Sequence, residues 1–206
     1  MTDSPPNTKE QIIMVAERLF AEHGFDGTTL RNVVSEAGVN LAAVSYHFGS
    51  KEDLYRAVVA KYARPVVDQE LYLLSELQKG LEPISVEGIL TALIKPSLVI
   101  LSQHADSHLV TAQFMGRCRT EPEPIQSIAN EEYDAASQAF LDVLQRILPD
   151  QSRSQLSWKL DLVIAALIRV LTEAGKPFAL LKSNSSSDIE ETTQQLVRFL
   201  SPGMRS

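Results

Sequence analysis

The chain has 206 residues, 44% hydrophobic and 22% charged, with a formal net charge of −7 and a pI of about 5.1. That length suits one generous domain or two small ones, and the composition is that of an ordinary globular protein. The longest unbroken apolar run, residues 162–168, stops at Arg169 and is far too short to span a membrane. A single cysteine, Cys118, excludes an internal disulfide and suits a reducing cytoplasm. Residues 1–7 are polar and contain Pro5 and Pro6, which reads as a frayed tail rather than a secretory signal, so a cytoplasmic protein without membrane contact is expected.

In chain order, the first helix is expected over residues 9–23. Thr8 and Gln11 have capping-box spacing, and Ile12, Val15, Ala16, Leu19 and Phe20 form the inward stripe. Gly24 ends it. Leu30, Val33, Val34 and Ala37 mark a second, short helix, with Gly38 as its left-handed stop. Asn40 caps a third, on which Val44 and Phe48 face inward. Ser50 with Asp53 is another capping-box pair and opens a fourth helix at Lys51. Two short helices about a glycine turn are a helix-turn-helix, whose second helix can lie in the major groove of DNA.

The fourth helix meets Pro65, where the missing N–H predicts a kink or restart and a joint between domains. Val66, Leu71, Leu73, Leu74 and Leu77 resume the apolar pattern up to Gly80. Five further helices are predicted over residues 86–102, 107–119, 124–148, 155–174 and 189–200. No strand-like alternation or internal repeat is present, and 183–187 is the only low-complexity piece. The predicted fold is all-α with about nine helices: a helix-turn-helix domain over residues 1–62 and a larger helical bundle over 63–206.

The segment from Thr8 to Leu54 resembles the DNA-binding domain of TetR-family bacterial regulators. Ala16, Leu19, Phe20, Gly24, Phe25, Thr29, Ala37, Gly38, Val39, Tyr46, His47, Phe48, Lys51 and Leu54 carry the match. Two positions depart from it: Ser45 stands where many members have tyrosine, and Val34 replaces a common alanine. The runs GVNLAAVSYHFGSK and FLSPGMRS are similar to the branch with fatty-acid-responsive regulators of Pseudomonas. The resemblance implies a homodimer on a double-stranded DNA operator, acting as a repressor that a small apolar, acyl-type ligand releases.

The expected DNA contacts are Thr29, Arg31, Asn40, Leu41, Ala42, Ala43, Ser45, Tyr46, His47 and Lys51. Thr29, Asn40 and Lys51 lie at helix starts, where backbone N–H groups suit phosphates. Asn40 suits adenine, while Leu41, Ala42 and Ala43 suit thymine methyls or simply allow close backbone approach. Tyr46, His47 and Lys51 match family positions that hold the phosphate backbone, although on composition Tyr46 also fits a core. Charge speaks against nucleic acid, since residues 1–62 carry six Lys/Arg against eight Asp/Glu. The alternative reading is therefore a helical protein-interaction or small-molecule-carrier bundle whose helix-turn-helix no longer reads DNA.

The eighth helix is apolar on nearly all sides, which predicts burial partly by a partner subunit. With the last helix, the resemblance implies a four-helix dimer interface through Leu162, Ala165, Ala166, Arg169, Leu196 and Leu200. Phe114, Met115, Tyr133, Phe140 and Trp158 fit a simple core or the walls of a ligand cavity between the middle helices, which the resemblance implies, with Arg117, Arg119 and His108 placed to meet an acidic head group at its mouth. The nearby acids Glu131, Glu132, Asp134 and Asp142 are grouped as for solvent-facing residues. His104 and His108 have metal-pair spacing without a third ligand nearby, and Cys118 lies between two arginines. Solvated or structural histidines and a buried, inert thiol are the expected states. No catalytic fingerprint is present, so no enzyme activity and no cofactor are expected.

Overall fold

The computed structural model describes residues 8–103 and 107–206. Within them the chain is helical, in the order α1 (Thr8–Gly27), α2 (Leu30–Ala37), α3 (Leu41–His47), α4 (Lys51–Lys79), α5 (Val86–Ser102), α6 (His108–Cys118), α7 (Ile125–Ile147), α8 (Arg153–Glu173) and α9 (Ser186–Arg205). Among the described residues that is nine helices and no strand, the predicted class and number. Polar caps start most of them: Thr29, Asn40, Ser50, Ser85, Ser152 and Ser185 each accept a backbone N–H from the first turn. The expected frayed tail, residues 1–7, lies outside the described residues.

Two helix boundaries differ from expectation. Among the described residues Thr8 and Gln11 form no capping box; the Gln11 amide donates at 2.8 Å to the carbonyl of Ala37 and ties α1 to the end of α2. At Pro65, α4 neither ends nor restarts and continues to Lys79. Pro65 is exposed, so the carbonyl that loses its donor lies on the solvent side and can be hydrated. The boundary drawn near residue 62 thus falls inside one long helix.

The core runs through both halves of the chain. On α4, Leu54, Tyr55, Val58, Val59, Tyr62, Val66 and Leu74 face inward at helical spacing. Helix α5 is buried on most sides, between α4 and α9. Helix α6 packs on α1 and α8. An aromatic cluster joins the N-terminal helices to α6: Tyr55 stands edge-on to Phe20 (4.9 Å), Phe25 (5.3 Å) and Phe114 (5.9 Å). Buried Glu17 on α1 adds a polar tie, accepting from Thr111 Oγ1 at 2.7 Å and from the hydroxyl of Tyr62. Burial is the main cause that raises the Tyr62 hydroxyl above its ordinary range, with the Glu17 charge second. Among the described residues, no helix is long and apolar enough to cross a membrane.

Candidate nucleic-acid interface and ligand cavity

Helices α2 and α3 meet through Gly38, whose backbone is left-handed at φ 63°, as a tight stop before the next helix requires. Val33, Ala37 and Val44 anchor the pair to the core. The outer surface of α3 is bare. Tyr46 is 85% exposed, which removes the core reading for it, and Leu41, Ala42 and Ser45 are also exposed. Ala43 and His47 are half-buried, with the His47 ring edge-on to Tyr46 at 5.1 Å. Thr29 and Arg31 are exposed at the start of α2.

Two of the expected contacts have internal duties. Asn40 Oδ1 accepts the N–H of Ala43 at 2.9 Å, so its amide nitrogen is the part left for a base. Lys51 Nζ donates to the carbonyls of Phe25 (2.9 Å) and Thr28 (3.0 Å) and lies 4.0 Å from the Phe25 ring centre. It braces the start of α4 against the end of α1, and only its third N–H remains for a phosphate.

The end of α1 is clamped to the segment at the end of α6 beside this brace. Glu121, at the edge of burial, accepts the N–H of Phe25 at 3.1 Å and the Nε of Arg117 at 3.2 Å. Arg117 Nη1 reaches the carbonyl of Ala21 at 3.4 Å. Farther along, Glu131 pairs with Arg56 at 2.6 Å and Glu132 with Arg64 at 3.1 Å, linking α7 to α4. Glu131 is exposed, as the grouping of these acids suggested, whereas Glu132 is half-buried beside the exposed Arg64.

A cavity of about 40 Å³ lies inside the helical domain. Apolar side chains wall it, chiefly Leu93, Met115, Ile164, Leu167, Ile168 and Leu171, with Glu70, Arg119, Tyr133, Ser97 and Ser137 as its polar groups. Of the six expected ligand contacts, it gathers Met115 and Tyr133. Phe114 turns to Tyr55 and Tyr62, Phe140 is buried in the core away from it, and Arg117 joins the Gly24 clamp. Trp158 is 63% exposed on the far face of α8. Sequence reasoning missed Glu70. The available signal was its spacing, since Val66, Glu70 and Leu74 follow one another at four-residue steps along the buried stripe of α4. Burial pushes its carboxyl up to about 8, against the opposing pull of Arg119.

Cys118 is buried, donates weakly to the Met115 carbonyl at 3.3 Å and is pushed up to about 12 by burial, so it is a protonated, inert thiol. His104 of the expected histidine pair lies outside the described residues.

Exposed apolar side chains stand on both α8 and α9, two helices that pack together: Trp158 at 63%, Leu162 at 49% and Phe199 at 80%, with Ala165 and Arg169 also exposed and Ala166 and Leu200 half-buried. Leu196 differs from expectation. At 6% exposure it lies within the protomer's own core, so the large exposed apolar side chain on α9 is Phe199.

The model for the tetracyclin repressor-like C-terminal domain matches residues 91–203, and that for bacterial regulatory proteins of the tetR family matches residues 12–58. The chain belongs to the TetR family. Members of this family are DNA-binding helix-turn-helix transcriptional regulators that bind operators and act as dimers. Among named relatives, the HTH-type transcriptional repressor AcnR of Corynebacterium glutamicum is 39% identical over 61 residues, covering 30% of this chain and 32% of AcnR. The HTH-type transcriptional dual regulator CecR of Shigella flexneri is 27% identical over 139 residues, covering 64% of this chain and 60% of CecR. The chain thus spans about a third of the first relative and less than two thirds of the second. In fold, the TetR-family chain resembles the fatty acid degradation regulator FadR from Bacillus halodurans (TM-score 0.67, 18% identity, covering 98% of this chain and 99% of that one). A TetR-family regulator from Bordetella parapertussis gives TM-score 0.67 at 17% identity, with 95% of each chain covered.

Proposed function

We propose that this TetR-family chain is a homodimeric repressor that a small apolar effector, acyl in type, releases from its operator. The observation that carries the reading is the bare outer face of α3, with Tyr46 85% exposed, on a head clamped at Gly24 by Arg117 of α6, the helix whose Met115 lines the cavity, and at Phe25 by Glu121 just beyond it. Residues 1–62 form the reading head, and residues 63–206 bind effector and partner. Thr29, Arg31, Asn40, Leu41, Ala42, Ala43, Ser45, Tyr46 and His47 face DNA, with Tyr46 and His47 on the phosphates and Asn40 to Ala43 toward the bases. The net acidity of the head is compatible with this, because Arg31 and the α2 and α3 N-termini place positive potential locally.

Trp158, Leu162, Ala165, Ala166, Arg169, Phe199 and Leu200 form the dimer face, since a two-fold partner placing its own copy there covers both apolar patches at once. An effector that spreads the cavity walls moves Met115 on α6, and with it the Arg117–Glu121 clamp on α1, which changes the separation of the two heads. The acyl class is supported by the apolar walls, by the likeness to the fatty acid degradation regulator, and by the similarity of two sequence runs to fatty-acid-responsive Pseudomonas regulators. The test is a genomic-fragment selection with purified protein, followed by release of the retained fragments with medium-chain fatty acids and sugars. Specific retention reversed by the acids supports the reading, and retention of no fragment above random DNA refutes it.

A further inference from the structure

We infer that the polar end of this cavity is a carboxylic-acid site, in which Glu70 and Arg119 hold the ligand's carboxyl group between them. The inference rests on the reading of the cavity as the effector site, and it narrows the effector from an acyl compound in general to a free acid.

Glu70 is only 3% exposed and faces the cavity, yet among the described residues no hydrogen bond or ion pair reaches its carboxyl. A buried polar group without a partner is costly, and a ligand that supplies the partner recovers that cost. Arg119 is similarly placed. Its guanidinium lies 4.3 Å over the Tyr133 ring, and no carboxylate within ion-pair distance engages it among the described residues. A planar fork of N–H donors stacked on an aromatic face is oriented for a carboxylate.

The neighbouring elements bring few other charges. Helix α5 contributes Leu93 and Ser97, and α8 contributes Ile164, Leu167, Ile168 and Leu171. From α6 and α7 come Met115, the buried Cys118 thiol, Tyr133 and Ser137, while Glu132 is spoken for by Arg64. Burial raises the Glu70 carboxyl to about 8 and the Tyr133 hydroxyl well above its ordinary range. Near neutral pH, Glu70 is therefore a neutral O–H donor beside a fixed cation. A ligand carboxylate accepts from both. An amine meets the Arg119 charge with no ionised partner, and an ester lacks the charge that Arg119 requires. A coenzyme A thioester carries its negative charge on phosphates far from the neutral acyl carbonyl, and its bulk does not suit a pair placed this deep. At its present size the cavity has room for only about one to three waters, so an acyl chain enters by displacing flexible Met115 and the α8 leucines.

The experiment is calorimetric titration of the full chain with octanoate, dodecanoate, methyl octanoate, octylamine and octanoyl-coenzyme A, from about pH 6.5 to about pH 9.5. The acids are expected to bind best, and their affinity to fall by up to about tenfold per unit above about pH 8 as Glu70 ionises. Glu70→Gln keeps a donor, so it should retain acid binding and lose the alkaline fall. Arg119→Met should weaken the acids by about tenfold or more. Tighter binding of octylamine, equal binding of the ester or thioester, indifference to Arg119→Met, or failure of both acids to bind each overturns the inference. Leu167→Trp, with the milder Ile168→Phe as a second variant, fills the cavity and separates the two claims. If acid binding survives the filling, the cavity reading itself fails. If filling abolishes the binding of a non-acid probe that bound best, the cavity reading stands and the acid assignment falls.

Discussion

The side chain of Arg117 closes over the backbone of Gly24 so tightly that a Cβ there would lie 2.7 Å from Nη2 and 3.0 Å from Nε. Gly24 has φ 74° and ψ 179°, a conformation that essentially only glycine adopts. The bend in α1 and the contact that couples α1 to α6 are therefore one feature. Gly24→Ala should lose about 1–3 kcal/mol from the backbone alone, with more from displacing Arg117. Urea denaturation reads the loss. Unchanged stability would mean that the bend relaxes freely and carries no coupling.

Lys51 and Tyr46 lie on the same head and should respond oppositely. Lys51→Met removes two charge-assisted bonds to the Phe25 and Thr28 carbonyls, so a stability loss of roughly 1–3 kcal/mol is expected. Tyr46→Ala removes an exposed ring and should leave stability within about 0.5 kcal/mol while weakening operator and random DNA alike. Thermal melts beside DNA titrations distinguish the two. A fully stable Lys51→Met with a salt slope shallower by about one would restore Lys51 as a plain phosphate anchor.

Much of this arrangement was legible in the sequence. Caps and apolar periodicity located all nine helices, and glycine and asparagine chemistry located the turn between α2 and α3. What escaped were side-chain directions that depend on distant parts of the chain. Arg117 and Phe114 lie on the predicted cavity helix, but both turn toward α1 and α4, because α6 is packed on its other side by the reading head. Trp158 left the expected cavity for the surface of α8 for a related reason. An all-apolar helix has no polar face to fix its rotation, so the side facing the protomer cannot be told from the side facing a partner. Proline at 65 predicted a kink or restart, and α4 does not restart there but continues to Lys79.

Glu70 makes stability depend on pH in a stated direction. Its native carboxyl is raised to about 8 against an unfolded value near 4.5, so the native state binds more protons between those limits. Its contribution is fully present below about pH 4.5 and is lost as pH rises through about 8. Glu70→Gln should gain stability relative to the wild type on moving from acid to alkaline buffer, as chemical denaturation across that range will read. A difference that stays constant with pH would show that Glu70 is ionised in the native cavity.

Leu162 and Phe199 are exposed in the protomer, so an aspartate at either position costs the isolated fold little. In the dimer it places an unpaired charge in an apolar contact, a cost of several kcal/mol. Leu162→Asp should therefore be folded by circular dichroism and monomeric by sedimentation. A folded dimer would move the interface elsewhere.

The central claim is that two copies of α3, held by that dimer, read one operator. The most direct measurement is a footprint of the wild-type dimer on a fragment recovered by selection, with Tyr46→Ala and Leu162→Asp alongside. The account predicts two protected half-sites on one DNA face, about 34–36 Å or a multiple of that apart, and loss of protection in both variants. Protection by monomeric Leu162→Asp as strong as by the wild type, or a single unpaired half-site, would contradict it.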